Sequence, residues 1–427
     1  MQRALLSILL LGLAACGQAE APLPDPSPPD AGTRDLGAAD LGLVMADAGL
    51  ELDAGAPPDS GLPEARCPEG HPMGNFYGKP IVEVTINGQG PYEFVYDTGA
   101  PTSAADNDLR GQLPTGTSSI GVGGQVVTFG PLPFYDLDQS LRGEIDGVLG
   151  SDVMGGFVVT LDVKRERFWL ELDRDEAALL ACAHAQGAPS ELEYLLDDYY
   201  FVPGHAEDLP GWFLLDSGAS LGVLTDPIVD QLLAAAPRPY LENFYTPAAI
   251  GTFWARLLTV GRLEVGGLSV GRILTRSVPT RLIPAPRFSD GNPFLGVLPT
   301  GYLRHFLLTL DQPAGRVRLD PYADDPLEEP TSRYYAGLSL TRSLVAPAVV
   351  HSVLAGSGAD AAGIEAGDEL HRINGVDLST VDPYAWPWAL TSQSEGALLR
   401  LNLVHQGVAR EVEVRTGNWL TSPDDPR

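Results

Sequence analysis

From about position 80 onward, apolar and polar residues alternate in short runs broken by glycine and proline. The stretch IVEVTINGQGPYEFVYDTGA, residues 81–100, predicts a strand, a tight turn at Asn87-Gly88 and a second strand ending at Asp97. GVGGQVVTFGPLPFYDL adds further short strands punctuated by glycine. GEIDGVLGSDVMGGFVVTLDVKRERFWLEL predicts a short glycine-bounded turn or helix followed by two strands. No amphipathic pattern runs for five helical turns. Short strands between Gly and Pro turns predict a mainly β body.

The second half of the chain repeats this order. WFLLDSGASLGVLT matches EFVYDTGAPTSAAD, and RLLTVGRLEVGGLSVGRIL matches the glycine-punctuated strands. GVLPTGYLRHFLLTLDQPAGRVRL matches GVLGSDVMGGFVVTLDVKRERFWL, so Gly147-Val148-Leu149 is answered by Gly296-Val297-Leu298. Asp97 and Asp216 stand a whole lobe apart, which makes the repeat a duplication and not a solenoid. The pattern predicts two pseudo-symmetric β-barrel-like lobes, residues 67–185 and 186–325. After the charged linker ADDPLEEPTSR comes a third unit, residues 331–417, and a polar, Pro-containing end expected to fray, residues 418–427.

Composition narrows the possibilities. The chain has 427 residues, enough for several cores, and an ordinary apolar content of 44%. A formal charge of −29 argues against a nucleic-acid partner, which needs clustered Lys and Arg. Residues 1–15 carry a basic start, an apolar run too short to span a bilayer comfortably and small residues before Cys16, as an export signal does. Residues 16–66 are rich in Pro, Ala, Asp and Gly without periodicity, and predict a tether reaching on the order of 40 Å. Its Asp-Ala-Gly triplets lack the ligand spacing of a calcium loop. Leu13-Ala14-Ala15-Cys16 resembles a bacterial lipobox, which implies lipidation at Cys16, and Gly17 resembles the sorting pattern for outer-membrane delivery. The membrane is then met only through that lipid, with the body on the periplasmic or cell-surface face. In an oxidising compartment Cys67 and Cys182 are expected to bridge, two free buried thiols being the alternative.

An apolar strand that ends in aspartate drags a carboxylate towards the interior, where an unpaired charge is costly. One such segment could be a turn cap. Two in corresponding places bring both loops to the lobe interface. Asp97 and Asp216, placed together, cannot both ionise and would share a proton. The ionised acid can then take a proton from water while the protonated one donates to a carbonyl oxygen. Thr98 and Ser217 offer hydroxyls to the opposite loop, and Gly99 and Gly218 let backbone approach the acids.

Through these residues, positions 75 to about 322 resemble a retropepsin-type aspartic protease carrying both lobes in one chain. DTGA at 97–100 and DSGA at 216–219 match the family's active-site loops, and GVLG at 147–150 matches its element behind the first loop. The resemblance implies an aspartic endopeptidase that acts on peptides or unfolded protein, needs no cofactor and has hairpin flaps, here expected near 115–125 and 244–254. There are two departures. Pro299 replaces the glycine corresponding to Gly150 and is expected to distort the second loop slightly, and no clear flap Tyr follows Asp97.

GADAAGIEAGDELHRINGVDL, residues 358–378, resembles the helix-turn-strand signature of a PDZ domain. The resemblance implies that the loop at Tyr335, with Ala336, Gly337 and Leu338, receives protein C-termini or internal peptides, although the first glycine of the usual loop is absent. G-x-S-x-G around Ser220 suggests a serine nucleophile, but lacks the required strand–turn–helix setting. The seven His residues form no metal-ligand pair, so no metal is expected. The rival reading is a non-catalytic peptide-binding lipoprotein that keeps the cleft and cleaves nothing.

Overall fold

The computed structural model describes residues 70–420 except 77, 114–115, 136, 138–144, 172–182, 184, 186–189, 194–198, 247–252, 284–287, 329–333, 343–345, 382–385 and 393. The signal, the tether, Cys16, Cys67 and Cys182 lie outside these residues. So do the proposed bridge and residues 421–427 of the C-terminal end.

The first lobe is built from β1 (Lys79–Ile86), β2 (Gln89–Tyr96), β3 (Ala104–Asp106), β4 (Thr117–Val122), β5 (Gln125–Pro131) and β6 (Gly147–Leu149). Asn87 and Gly88 both take positive φ between β1 and β2, as a two-residue hairpin turn requires. β6 then runs parallel to β2, setting Tyr96 opposite Leu149, and antiparallel to β3. After it β7 (Val158–Asp162) and β8 (Arg167–Glu171) form a hairpin.

The second lobe repeats the arrangement. β9 (Phe201–Ala206) and β10 (Leu209–Leu215) form the hairpin, β11 (Gly222–Thr225) follows the second aspartate, and β12 (Tyr240–Thr246), β13 (Phe253–Val265) and β14 (Leu268–Val278) come next. β15 (Phe294–Leu298) closes the lobe, parallel to β10 with Leu215 opposite Leu298 and antiparallel to β11. β16 (Phe306–Asp311) and β17 (Arg316–Pro321) answer β7 and β8. β7 pairs with β16, so the two lobes contribute to one six-stranded sheet. A single apolar core runs through both lobes and this sheet, with Phe94, Tyr96 and Leu149 from one and Phe213, Leu215 and Leu298 from the other.

The repeated Gly-Val-Leu has a steric cause. A Cβ on Gly147 would meet Ala104 O at 2.4 Å, and one on Gly296 would meet Val223 O at 1.9 Å. In each lobe the strand after the aspartate loop presses its backbone onto this glycine, leaving no room for a side chain.

The lobes differ after the strand that follows each aspartate loop. Between β11 and β12 lies the helix Asp226–Ala235, which starts with Pro227 in its first turn and buries Ile228, Val229 and Leu232. The first lobe has only the short turn Asn107–Leu109 there. β12 and β13 form an antiparallel hairpin around 244–254, whose tip at 247–252 is outside the described residues. The flap expected at 115–125 is not found there. That stretch is β4 and a Gly123-Gly124 turn that packs on His71, Phe168 and Leu170 of the shared sheet, and corresponds to the Gly266-Gly267 turn between β13 and β14.

The C-terminal body has its own core and a sheet ordered β18 (Leu338–Leu340), β19 (Ala348–Val353), β20 (Glu369–Ile373), β21 (Leu398–His405) and β22 (Val408–Arg415). Among the described residues no helix is long and apolar enough to cross a membrane.

Candidate active site

The two aspartates leave the ends of β2 and β10 in matching geometry. Asp97 N donates to Leu149 O and Asp216 N to Leu298 O, both at 3.0 Å, so the strand beside each loop fixes its backbone. Ala100 N and Ala219 N each return to their own aspartate carbonyl at 3.2 Å, closing two equivalent turns.

The loops are tied together below the carboxylates. Thr98 N donates to Ser217 Oγ at 3.1 Å and Ser217 N donates to Thr98 Oγ1 at 3.0 Å. Each hydroxyl also donates across the seam, Thr98 Oγ1 to Leu215 O at 2.8 Å and Ser217 Oγ to Tyr96 O at 2.6 Å. Thr98 and Ser217 are buried, so each bond replaces one that water would otherwise make. Removing either hydroxyl strands an amide and a carbonyl in a dry site. Thr98→Ala and Ser217→Ala are each expected to cost about 1–3 kcal/mol. Each hydroxyl makes its own two bonds, but all four brace one seam, so the double variant should cost less than the two single losses combined once the first loss has loosened that seam. Chemical denaturation of the four proteins measures this; strict additivity would mean that the hydroxyls act independently.

Above the brace the two carboxyls come within hydrogen-bonding reach of one another. Both keep some surface open to solvent, while protein encloses them otherwise. Gly99 N donates to Asp97 Oδ1 at 2.8 Å. A Cβ on Gly218 would fall 2.4 Å from Asp97 Cγ, and one on Gly99 would fall 2.6 Å from Asp216 Cγ, so only glycine lets each acid lie over the opposite loop. Burial pushes both carboxyls up. Asp216 is pushed well above the usual carboxylate range, since it also meets the negative charge of Asp97. The pair therefore holds one proton over a wide pH range. That gives a proton acceptor and a proton donor within hydrogen-bonding reach of each other.

Pro299 does not distort the second loop. It sits at φ −83°, ordinary for proline, just before the turn of helix Thr300–Leu303. In the first lobe Gly150 N donates to Ser103 Oγ at 2.9 Å; at the place of Ser103 the second lobe has Gly222, which offers no side-chain acceptor. The missing N–H and the missing hydroxyl go together. Thr300 Oγ1 instead donates to Ser217 O at 2.9 Å.

Ser220 lies past the aspartate loop and leads into β11, not directly into a helix. His305, His351 and His405 pair with Asp325, Glu242 and Asp368. Two cations that the sequence analysis did not single out bear on the acids. Lys79 opens β1 and its charge opposes the upward shift of both carboxyls. Arg276 lies in β14 within electrostatic reach of Asp216. Arg276 stands alone among apolar and hydroxyl residues in ILTRSV, a signal that was legible; Lys79 at a strand start gave none.

In the C-terminal body, Leu354 N donates to Gly337 O across the Leu338–Val353 pair, which turns the Leu338 N–H to the edge of β18 that faces away from β19. Gly337 has a φ of +87° and packs on Ser357, so a side chain there would collide. Ala336 N is already committed to Leu390 O at 2.9 Å, which removes Ala336 from the expected set of free amides and leaves Gly337 and Leu338. Beside this edge is a groove lined by Leu338 and Leu340 of β18, by Pro387 and Leu390 at the short helix Trp386–Ala389, and by Leu241 and Phe244 of β12. β12 is itself the edge strand of the second-lobe sheet. Arg342 Nε donates to Asn243 Oδ1 at 2.9 Å, and His351 Nε2 lies 2.9 Å from Glu242 Oε2.

No curated protein matches the chain. Residues 327–385 match the family model of the PDZ domain, and β20 pairs onward with β21 and β22 to complete the same sheet. The C-terminal body thus contains a PDZ domain, a module that supports peptide binding.

Proposed function

We propose that the chain is an aspartic endopeptidase whose PDZ domain helps to capture peptide. One observation carries this reading: Asp97 and Asp216, from duplicated loops, lie within hydrogen-bonding reach of each other above a cross-braced seam. The ionised carboxylate takes a proton from a water held between the acids, and its oxygen attacks the peptide carbonyl carbon. The protonated carboxyl donates to the carbonyl oxygen, giving a neutral tetrahedral diol. Proton transfer to the amide nitrogen then lets the C–N bond break, releasing an acid and an amine. The rival reading without catalysis drew on a misplaced second loop, and Pro299 provides no such displacement.

β12 belongs both to the hairpin beside the second-lobe cleft and to the wall of the PDZ groove. β12 lies against β18 here, so a peptide adding along β18 would displace β12 from that edge and would enter next to the protease lobe. The lipobox-like Leu13–Cys16 supports an exported lipoprotein held at the outer membrane by its lipid.

The test is digestion of an unfolded protein from acid to neutral pH, with and without a peptide-like transition-state analogue. Cleavage is expected to be inhibitable and bell-shaped in pH. It should fall in acid as both carboxyls become protonated, and fall again as pH rises through the raised value of Asp216. That alkaline limb lies above the ordinary carboxylate range of about 4. No inhibitable cleavage at any pH would refute the proposal.

A further inference from the structure

Arg276 is the described residue whose placement the peptidase chemistry leaves unexplained. It stands on β14, registered with Val223 of β11 on one side and Leu257 of β13 on the other. Val223 packs with Ala219, the residue that closes the Asp216 turn, and Val278, two positions beyond Arg276 and on the same face of the strand, joins that cluster. The guanidinium thus rises from an apolar patch continuous with the second aspartate loop. Its Nε is sealed from solvent and meets no hydrogen-bond acceptor among the described residues. Protein surrounds the residue, yet part of its surface stays open. Asp97 and Asp216 are likewise partly open, and Arg276 lies within electrostatic reach of Asp216.

Arg276 is not an ion-pair partner of the dyad. No hydrogen bond joins it to Asp216 among those described, and the acid stays well above its ordinary range. Burial lowers the guanidinium to about 10, so it remains a cation at neutral pH, one without a carboxylate in contact among the described residues. A desolvated cation of this kind disfavours apolar and basic groups beside it, and its planar fork matches a carboxylate.

We propose that Arg276 is a specificity-determining residue that receives a substrate carboxylate beside the scissile bond, so that the site selects peptides with Asp or Glu there. The inference rests on the peptidase reading of Asp97 and Asp216, and names the substrate class of that same cleft.

The experiment compares matched peptides that differ only by Glu or Gln, scanned through the positions flanking the cleaved bond. At one position the wild-type protein is expected to favour Glu by about 30-fold or more in kcat/KM. Arg276→Met should bring that ratio to about one, and Arg276→Glu should shift preference to Lys at the same position. The melting temperature separates this role from a structural one. Replacing an unpartnered buried cation by Met should hold or raise it, whereas a structural arginine would lower it. Asp97-dependent cleavage with no acidic preference at any position overturns the subsite and leaves the peptidase reading intact. So does a ratio unmoved by Arg276→Met, or a melting temperature that falls in that variant. Absence of any Asp97-dependent cleavage overturns the peptidase reading and the subsite with it.

Discussion

Asp97→Asn and Asp216→Asn are each expected to lower peptide cleavage by about 10³-fold or more, while making the protein more stable at neutral pH. The loss follows from the shared proton. With one acid replaced by an amide, the pair can no longer offer both an acceptor and a donor. The gain in stability follows from linkage. The folded pKa of Asp216 is raised by burial and by the charge of Asp97, so the native state binds more protons than the unfolded chain between the ordinary carboxylate value and the raised one. Stability from the neutral acid is complete below the unfolded value and is lost as pH rises through the folded value. An amide does not titrate, and in the Asp97→Asn variant the amide oxygen could still accept from Gly99 N, as Asp97 Oδ1 does at 2.8 Å. The advantage of the variants should therefore vanish in strong acid and grow towards neutrality. Thermal melts across pH, run beside peptide assays, read both effects. A variant that cleaves as well as the wild-type protein sinks the dyad; one that melts lower at neutral pH sinks the electrostatic account of its burial.

Gly296→Ala should be the most damaging single methyl group in the second lobe. The added carbon would fall 1.9 Å from Val223 O and 2.8 Å from Leu224 Cα, both backbone atoms of β11. No rotamer change relieves a clash with backbone, so β15 and β11 must separate. The parallel pairing that fixes Asp216 N on Leu298 O goes with them. A loss of about 3 kcal/mol or more is expected, at the upper end of overpacking costs. Gly147→Ala should act likewise in the first lobe through Ala104 O. Gly130→Ala is the control, since nothing lies within 4 Å of its Cβ position; a change within about 0.5 kcal/mol is expected. Denaturation midpoints decide the matter. Equal effects at Gly296 and Gly130 would show that the repeated glycine is not a steric requirement.

Much of this site was legible before any coordinates. A run such as FVYDTGA or FLLDSGA is local: apolar strand residues, a turn former and a glycine declare themselves by type and order. So do the Asn87-Gly88 turn and the strand alternation of β1 and β2. Other parts could not be read this way. The helix Asp226–Ala235 is short, and its Pro227 reads as a breaker until its place in the first helical turn is known. The short helix Trp386–Ala389 hid behind Pro387 for the same reason. The first flap was misplaced because Gly123-Gly124 has the composition of any exposed hairpin tip; only its packing on His71, Phe168 and Leu170 shows which turn it is. Pro299 looked disruptive because its compensating partner, Gly222, is distant in sequence.

By itself, the order of residues determined which side chains are candidates for chemistry, that the strand–Asp loop is duplicated, and where a PDZ module follows. Those properties depend on neighbours along the chain, where strand periodicity and turn preference operate. Only the tertiary structure decided that two distant carboxyls meet, that Arg276 lies within electrostatic reach of one of them with no acceptor for its Nε among the described residues, and that β12 lies against β18 of the PDZ domain. Each of these is a contact between segments far apart in the chain, and its energy comes from burial and charge proximity, which no local run of residues encodes.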